Sequence, residues 1–202
     1  MAATRRKTPS YDVFVSHSSV NARRATTLVG ALTAGGEITG FVRGEAPALT
    51  TAITNIATWQ EQALQAAGGS PAASTKAHER AAAALTKARA RWPLDAQLLN
   101  LAGYQAKNDY QLAHWDEVQA GRWSPHDPAL DASRALYFEC LRFDPVDPGA
   151  LNGLANVLLY QHEHGAARFF NQAAIERARL AGSGYPAAEH DAALIARFTD
   201  DV

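Results

Sequence analysis

The sequence has little of several residue types on which common functions depend. It holds one cysteine, Cys140, in 202 residues, which excludes an internal disulfide framework and a metal site built from cysteines alone. It contains no apolar run near the ~20 residues that a membrane-spanning helix needs. Its 19 basic and 20 acidic side chains leave a net charge of −1, so no overall field favours nucleic acid or an anionic membrane. Neither Gly35-Gly36 nor Gly68-Gly69 matches a phosphate-binding loop. We therefore expect a cytoplasmic protein that needs no cofactor, metal, nucleic acid or membrane.

The charges are distributed unevenly along the chain. Residues 1–44 carry six basic side chains against two acidic ones, and the remainder of the chain is correspondingly acidic. The basic residues are Arg5, Arg6, Lys7, Arg23, Arg24 and Arg43, and the acidic ones are Asp12 and Glu37. Such asymmetry favours two units of different character. We expect residues 1–10 to form a disordered basic tail.

A short β-α(-β) fragment is predicted after this tail. Residues 11–16 (YDVFVS) join β-branched and aromatic residues in an apolar run typical of a buried strand. A helix over about 21–34 follows, Gly35-Gly36 ends it, and 38–42 are favoured as a second strand. Because two strands cannot cover both faces of a sheet, we expect a remnant of a larger fold.

Helical periodicity dominates the rest of the chain, which makes the predicted fold class mostly α. One helix is predicted over 47–67, and the small residues of 68–75 (GGSPAAST) then indicate a linker. The next helices are placed at about 76–92, 95–120, 128–143 and 148–181, the last of them broken near His164. A final helix begins at Pro186, a good first-turn residue, and reaches about Phe198.

The helical segments repeat. At positions −12, −8 and −5 from Pro93 and from Pro145, each segment has small or apolar residues: Ala81, Leu85 and Ala88, then Ser133, Tyr137 and Cys140. The opening helices behind these prolines share four more positions: Leu99, Ala102, Gly103 and Ala106, then Leu151, Leu154, Ala155 and Leu158. Small residues at such positions let antiparallel helices pack closely. Over about 76–182 the pattern resembles the tetratricopeptide repeat, a helix pair with a period of ~34 residues.

This resemblance implies an α-solenoid of antiparallel helix pairs whose first helices line a groove for a protein or peptide segment. Asparagine and tyrosine side chains in such a groove can bond a peptide backbone; the alternative is that these residues are ordinary polar residues of a helix surface. The groove positions implied here are Gln97, Asn100, Tyr104, Lys107, Asn108, Asn152, Asn156 and Tyr160.

The N-terminal fragment resembles part of a second family. Residues 11–19 (YDVFVSHSS) are similar to the first conserved box of the TIR domain, the Toll/interleukin-1 receptor fold, and the matching residues are Tyr11, Asp12, Val13, Phe14, Ser16 and Ser18. The resemblance covers about 11–34, or 11–43 if 38–42 form the second strand, so it implies a truncated domain. It also implies a signalling or defence setting, in which an unpaired strand could pair with a TIR-containing protein or a second copy.

An enzymatic alternative follows from the same resemblance. Some TIR domains cleave NAD with a helical glutamate, often near a tryptophan, so Glu61 beside Trp59 is the candidate catalytic residue of an NAD-cleaving hydrolase. A cleavage site needs a walled pocket that orients the ribose, and no further strands are predicted after Val42 to build one. The predicted function is therefore a non-enzymatic adaptor or scaffold.

The domain organisation predicted from these observations has four parts. A basic tail over 1–10 precedes a truncated TIR-like segment over 11–44, a helix and linker over 45–75, and a tetratricopeptide-like repeat domain over 76–202. Residues 110–131 form an insertion into the repeat. Its tryptophans, Trp115 and Trp123, are interpreted as closing one side of the solenoid, with a recognition anchor as the alternative.

Overall fold

A computed structural model describes residues 41–199, and the side chains from Pro47 to Phe198. Within this range the chain forms eight helices and no strand, which confirms the mostly α prediction. The helices are α1 (Phe41–Ala67), α2 (Pro71–Arg91), α3 (Ala96–Ala113), α4 (Trp115–Gln119), α5 (Pro128–Phe143), α6 (Pro148–Tyr160), α7 (His164–Leu180) and α8 (Pro186–Thr199). The predicted basic tail and almost all of the TIR-like segment, 11–44, lie outside the described residues.

The long helices form three successive pairs and a final single helix. The helices that pack most extensively against each other are α1 and α2, α3 and α5, and α6 and α7. In two of the pairs a connection of only three residues joins the helices, so partners that pack along their length are antiparallel. The first helices α1, α3 and α6, followed by α8, also contact one another in chain order. This arrangement is that of an α-solenoid-like stack, and the row of α1, α3, α6 and α8 is called the first-helix row below.

The residues that repeat in the sequence lie where the helices cross. Three positions recur in the second helices α2, α5 and α7, and all nine side chains are buried: Ala81, Leu85 and Ala88; Ser133, Tyr137 and Cys140; Ala167, Asn171 and Ala174. Two polar members donate to the neighbouring backbone: Ser133 Oγ to Gly103 O at 2.7 Å and Asn171 Nδ2 to Ala188 O at 2.8 Å. The buried hydroxyl of Tyr137 has no partner among the described residues. The sequence repeat is therefore also a repeat of packing.

The joint between one pair and the next is built twice in the same way. After α2 and after α5 the chain reads Pro-x-Asp, and the aspartate is the N-cap of the following helix. Asp95 accepts from Leu98 N at 2.9 Å, and Asp147 accepts from Ala150 N at 2.6 Å. Each carboxylate satisfies an amide that has no partner within its helix, so the helix starts are fixed by local residues.

Tyr137 of α5 is wedged between two first helices. A Cβ atom added to Gly103 of α3 would lie 2.8 Å from the Tyr137 ring, and one added to Gly153 of α6 would meet the same ring even more closely. Only glycine leaves room for this side chain on both sides. The aromatic ring thereby joins α3, α5 and α6 into one core.

Three boundary predictions are wrong. Phe41 and Val42, predicted to end a second strand, begin α1, because a short apolar run does not distinguish strand from helix. The linker predicted over 68–75 is only three residues long, since Pro71 begins α2 at a position that proline favours. The helix predicted over 95–120 is interrupted at His114, between α3 and α4.

Candidate interaction face

Four of the predicted groove residues form one stripe on α3. Gln97, Asn100, Tyr104 and Lys107 are spaced by three, four and three residues, which places them on the same side of a helix. The stripe is about 15 Å long at 1.5 Å of rise per residue. It is called the α3 stripe below.

Most polar groups of the α3 stripe have no hydrogen-bond partner among the described residues. Gln97, Asn100 and Tyr104 are partly exposed. Within residues 47–198 neither the Gln97 amide nor the Tyr104 hydroxyl has a hydrogen-bond partner. Asn100 makes one long contact, from Nδ2 to Asp147 Oδ1 at 3.4 Å. The stripe can therefore form hydrogen bonds with a molecule from outside.

Lys107 ends the stripe and is only 7% exposed. Its Nζ lies 4.5 Å from the centroid of the Tyr104 ring, a cation–π contact. Burial lowers the pKa of Lys107 to about 8, and the Asp191 carboxylate opposes this shift only in part. The same burial, with the charges of Glu61 and Asp191, raises the pKa of Tyr104.

The predicted groove residues of α6 are in a different situation, because their side chains are buried and bonded. Nδ2 of Asn152 donates to Asp191 Oδ2 at 2.7 Å, and Nδ2 of Asn156 donates to the same oxygen at 2.8 Å. Tyr160 Oη accepts from Gln111 Nε2 at 2.7 Å, and burial raises the pKa of its phenol. Helix α8 places the Asp191 carboxylate here. This carboxylate therefore accepts the hydrogen bonds of α6 side chains that were predicted to bind a partner.

A second asparagine extends this network behind α6. Asn171 of α7 donates to Asn152 Oδ1 at 2.9 Å and to Ala188 O at 2.8 Å. Each of the three helices α6, α7 and α8 therefore contributes to one hydrogen-bonded cluster. Its role in the fold is to hold α8 against the last helix pair.

Asn108, the remaining predicted groove residue, lies inside the α1–α3 contact. It is fully buried, and its Nδ2 donates to Gln60 O at 3.4 Å. The Gln60 side chain in turn donates to Leu101 O at 2.8 Å. This amide pair connects the first two helices of the first-helix row and is not exposed to a partner.

The insertion after α3 covers part of the same row. Trp123 packs against Phe198 of α8 and Tyr160 of α6, with ring centroids 4.4 Å and 5.2 Å apart. A small pocket beside it is lined by Tyr110, His114, Glu117, Arg122, Trp123, Ser124 and Pro125. Trp115 lies near Gly68, at the turn between α1 and α2. Both tryptophans therefore contact neighbouring helices, and their role, as closure of one side or as a recognition anchor, stays a prediction.

The candidate catalytic residue of the enzymatic alternative lies on α1. Glu61 is exposed and accepts from Gln65 Nε2 at 2.9 Å, one turn along the same helix. Trp59 lies beneath Arg80 of α2, whose guanidinium carbon is 4.0 Å from the ring centroid. The predicted TIR-like box, Tyr11 to Ser18, lies outside the described residues.

Asp191 was not predicted as a site residue, although its spacing from apolar residues indicates that it lies on the buried side of its helix. It is spaced three residues after Ala188 and four before Ile195, both of which are buried. A carboxylate on the apolar side of a helix must find donors in the core. Gln60 is likewise a polar residue on the buried side of its helix, between Ile56 and Ala63 of α1.

Comparisons with protein-family models, with curated proteins and with solved structures find no match to this chain. Among the residues that the structure describes, no helix is long and apolar enough to cross a membrane. The same residues contain no group of three or more histidine, cysteine, aspartate or glutamate side chains placed to hold a metal ion.

Proposed function

We propose that this chain is a non-enzymatic, tetratricopeptide-type interaction module, an adaptor that holds an extended peptide segment of a partner protein along the α3 stripe. The observation that carries the proposal is the contrast between the two stripes of predicted groove residues. The donors of α6 are used by Asp191, whereas Gln97, Tyr104 and Lys107 of α3 have no hydrogen-bond partner within residues 47–198.

The dimensions of the α3 stripe suit a short extended segment. A strand rises about 3.3 Å per residue, so the ~15 Å stripe matches four or five residues of peptide. Glutamine, asparagine and tyrosine side chains can satisfy both the N–H and the C=O groups of a peptide backbone. The partner's backbone would therefore keep its hydrogen bonds when it leaves water.

Selection of peptides from a random library against the full chain tests this proposal. We expect the selected peptides to bind at least tenfold more weakly to Tyr104→Ala, because Tyr104 lies in the middle of the stripe. Phe169→Ala is the matched control, since Phe169 is an exposed aromatic residue of a second helix, α7. Peptides that lose binding in the control and keep it in Tyr104→Ala would place recognition elsewhere and contradict the proposal.

The setting proposed for this adaptor is a cytoplasmic TIR-type signalling or defence assembly. Its support is the resemblance of residues 11–19 to the first TIR box, which suggests contact with a TIR-containing protein or a second copy of this chain. Mixing the full chain with a TIR domain should give a complex that deletion of 11–19 abolishes. Release of nicotinamide from NAD by the purified chain, lost in Glu61→Ala, would instead support the enzymatic alternative.

A further inference from the structure

Helix α2 carries a line of exposed basic side chains. Its four members are Lys76, Arg80, Lys87 and Arg91. Their spacing of four, seven and four residues places them on one side of the helix, away from the side that holds its buried residues. At 1.5 Å of rise per residue the line is about 22 Å long. It is called the α2 basic stripe below.

The described residues around the α2 basic stripe do not neutralise its charge. Glu79 is the only acidic residue of α2. Within residues 47–198, no carboxylate lies within 4.0 Å of the side-chain nitrogens of Lys76, Arg80 or Lys87. Asp109 of α3 does reach α2, but it pairs with His78, at 2.6 Å. A positive potential therefore remains along this side of the helix.

Tryptophan rings hold two of the four cations in place. The guanidinium carbon of Arg80 lies 4.0 Å from the centroid of the Trp59 ring of α1, and that of Arg91 lies 4.7 Å from the Trp92 ring. Such stacking fixes the orientation of a guanidinium plane. The α2 basic stripe therefore loses less side-chain entropy on binding than four freely rotating cations would.

The charge distribution of the chain indicates what kind of partner suits the stripe. Residues 1–40 are net basic, so charge does not favour them as its occupant. From Trp92 to Thr199 acidic side chains outnumber basic ones, so a long nucleic acid or a broad anionic membrane would be repelled beyond the stripe. A short acidic segment of a protein needs only the ~22 Å of the stripe and avoids this repulsion.

The spacing of the charges distinguishes a helical partner from an extended one. An extended segment rises about 3.3 Å per residue, so carboxylates that match the stripe would be about two, five and seven residues from the first. Because side chains of an extended segment alternate between its two faces, two of the four would point away. A helix with carboxylates spaced by four, seven and four residues presents all four on one side.

We propose that the α2 basic stripe docks an acidic helix of a partner protein, whose carboxylates have this spacing of four, seven and four residues. The spacing is the same in both directions, so the partner helix can run parallel or antiparallel to α2. Ala83 and Ala90 are exposed beside the four cations, and such small side chains let a second helix approach closely. This surface is separate from the α3 stripe and does not depend on the proposed function.

Two helical peptides of identical composition test the proposal on the full chain. Each has about 20 residues of alanine and glutamine with four glutamates. In the first peptide the glutamates are spaced by four, seven and four residues, and in the second by five residues each, which spreads them around the helix. We expect the first to bind about tenfold more tightly at low salt, and the difference to shrink in about 0.5 M salt. A single-stranded RNA oligonucleotide and phosphatidylserine vesicles are measured alongside.

Lys76→Glu combined with Lys87→Glu should abolish the preference for the first peptide, because it reverses two charges of the stripe. Arg142→Glu combined with Arg177→Glu is the matched control, since it changes the net charge equally at exposed positions of α5 and α7, and it should keep the preference. Equal binding of both peptides, no binding by either, tighter binding of RNA or vesicles, or loss of the preference in the control would overturn the proposal. The library selection against the α3 stripe tests the proposed function separately.

Discussion

Tyr137 and Lys107 are both buried, and the structure accommodates them in opposite ways. Tyr137 fills space that two glycines leave open, so its burial removes apolar area from water without a void. Lys107 is only 7% exposed, and its Nζ lies against the ring of Tyr104, so burial disfavours its charged form and lowers its pKa. The first residue stabilises the fold, and the second is retained at a cost to stability.

The cost of Lys107 should depend on pH. Its pKa is lowered from 10.5 to about 8 in the folded chain, so the unfolded chain binds more protons between these values and stability rises with pH across that window. We expect Lys107→Met to raise the free energy of unfolding below pH 8, by about 3 kcal/mol at most. Urea unfolding of both proteins between pH 6 and 10.5 measures the difference.

The gain from Lys107→Met should shrink as the pH rises from 8 through 10.5, because the folded state has lost the proton above pH 8 and the unfolded state loses it around 10.5. Titrating groups that do not contact Lys107 are present in both proteins and cancel in the comparison. A difference that stays constant from pH 6 to 10.5 would contradict the assignment of this effect to the buried charge.

Gly153→Ala should disrupt the wedge formed by Tyr137. The added methyl group would overlap the tyrosine ring, and overpacking of this kind costs about 1–3 kcal/mol. Gly165→Ala is the matched control, because nothing lies within 4 Å of the added atom on α7 and alanine favours a helix. Thermal unfolding should show a lower midpoint for the first variant only. Equal midpoints would mean that Tyr137 can move aside.

Among the helices, α8 determines which part of the first-helix row is open. It contributes Asp191 to the asparagines of α6 and Phe198 to the insertion's Trp123. Both contacts fall on the side of α6 that would otherwise continue the surface of the α3 stripe. The final helix therefore covers one end of the row and leaves α3 accessible.

Asp191→Ala should loosen α8 without unfolding the helix pairs. The change removes the carboxylate that accepts from Asn152 and Asn156; Asn156 keeps its bond to Asn152 O at 3.1 Å, whereas the Asn152 amide loses its acceptor, at a cost of about 1–3 kcal/mol. We expect amide hydrogens of α8 to exchange faster while those of α6 stay protected. Glu189→Ala removes a carboxylate from the same helix at an exposed position, and it should leave exchange unchanged. Slow exchange of α8 in Asp191→Ala would show that apolar contacts suffice.

In the described part of the molecule, α6 lies at the centre of the packing. All residues from Ala150 to Tyr160 are buried, and the helix contacts α3, α5, α7 and α8. A helix can lose such protection only when its neighbours open as well. We expect its amides to exchange slowest of the helices in residues 41–199, as measured by native-state hydrogen exchange. Slower exchange in α2 would contradict this order.

Local residues made much of the helical architecture predictable. Pro128 and Pro148 occupy first-turn positions that proline favours in α5 and α6, and the matching offsets around Pro93 and Pro145 predicted which side chains meet at helix crossings. The start of α2 was missed because Gly68-Gly69 and the small residues after them are compatible with both a linker and a helix beginning at Pro71.

The candidate site was predictable only in part. Helical spacing alone places Asn100 and Asn152 in equivalent positions of α3 and α6, yet one side chain is partly exposed and the other is buried. The difference arises from Asp191, 39 residues further along the chain. Such a contact depends on how α8 lies across its neighbours, which the spacing of residues within either helix does not specify.

The two Pro-x-Asp joints have a consequence for how this chain can change in length. Both joints have the same turn and the same aspartate cap. In a tandem duplication of residues 93–144, Asp144 of the first copy would be followed by Pro93 of the second, so the two copies would be joined by the same Pro-x-Asp sequence. Gly182, with φ of +76°, and Pro186 form a different connection before α8. New repeats can thus be gained in the interior of the gene, while the terminal helix keeps its place.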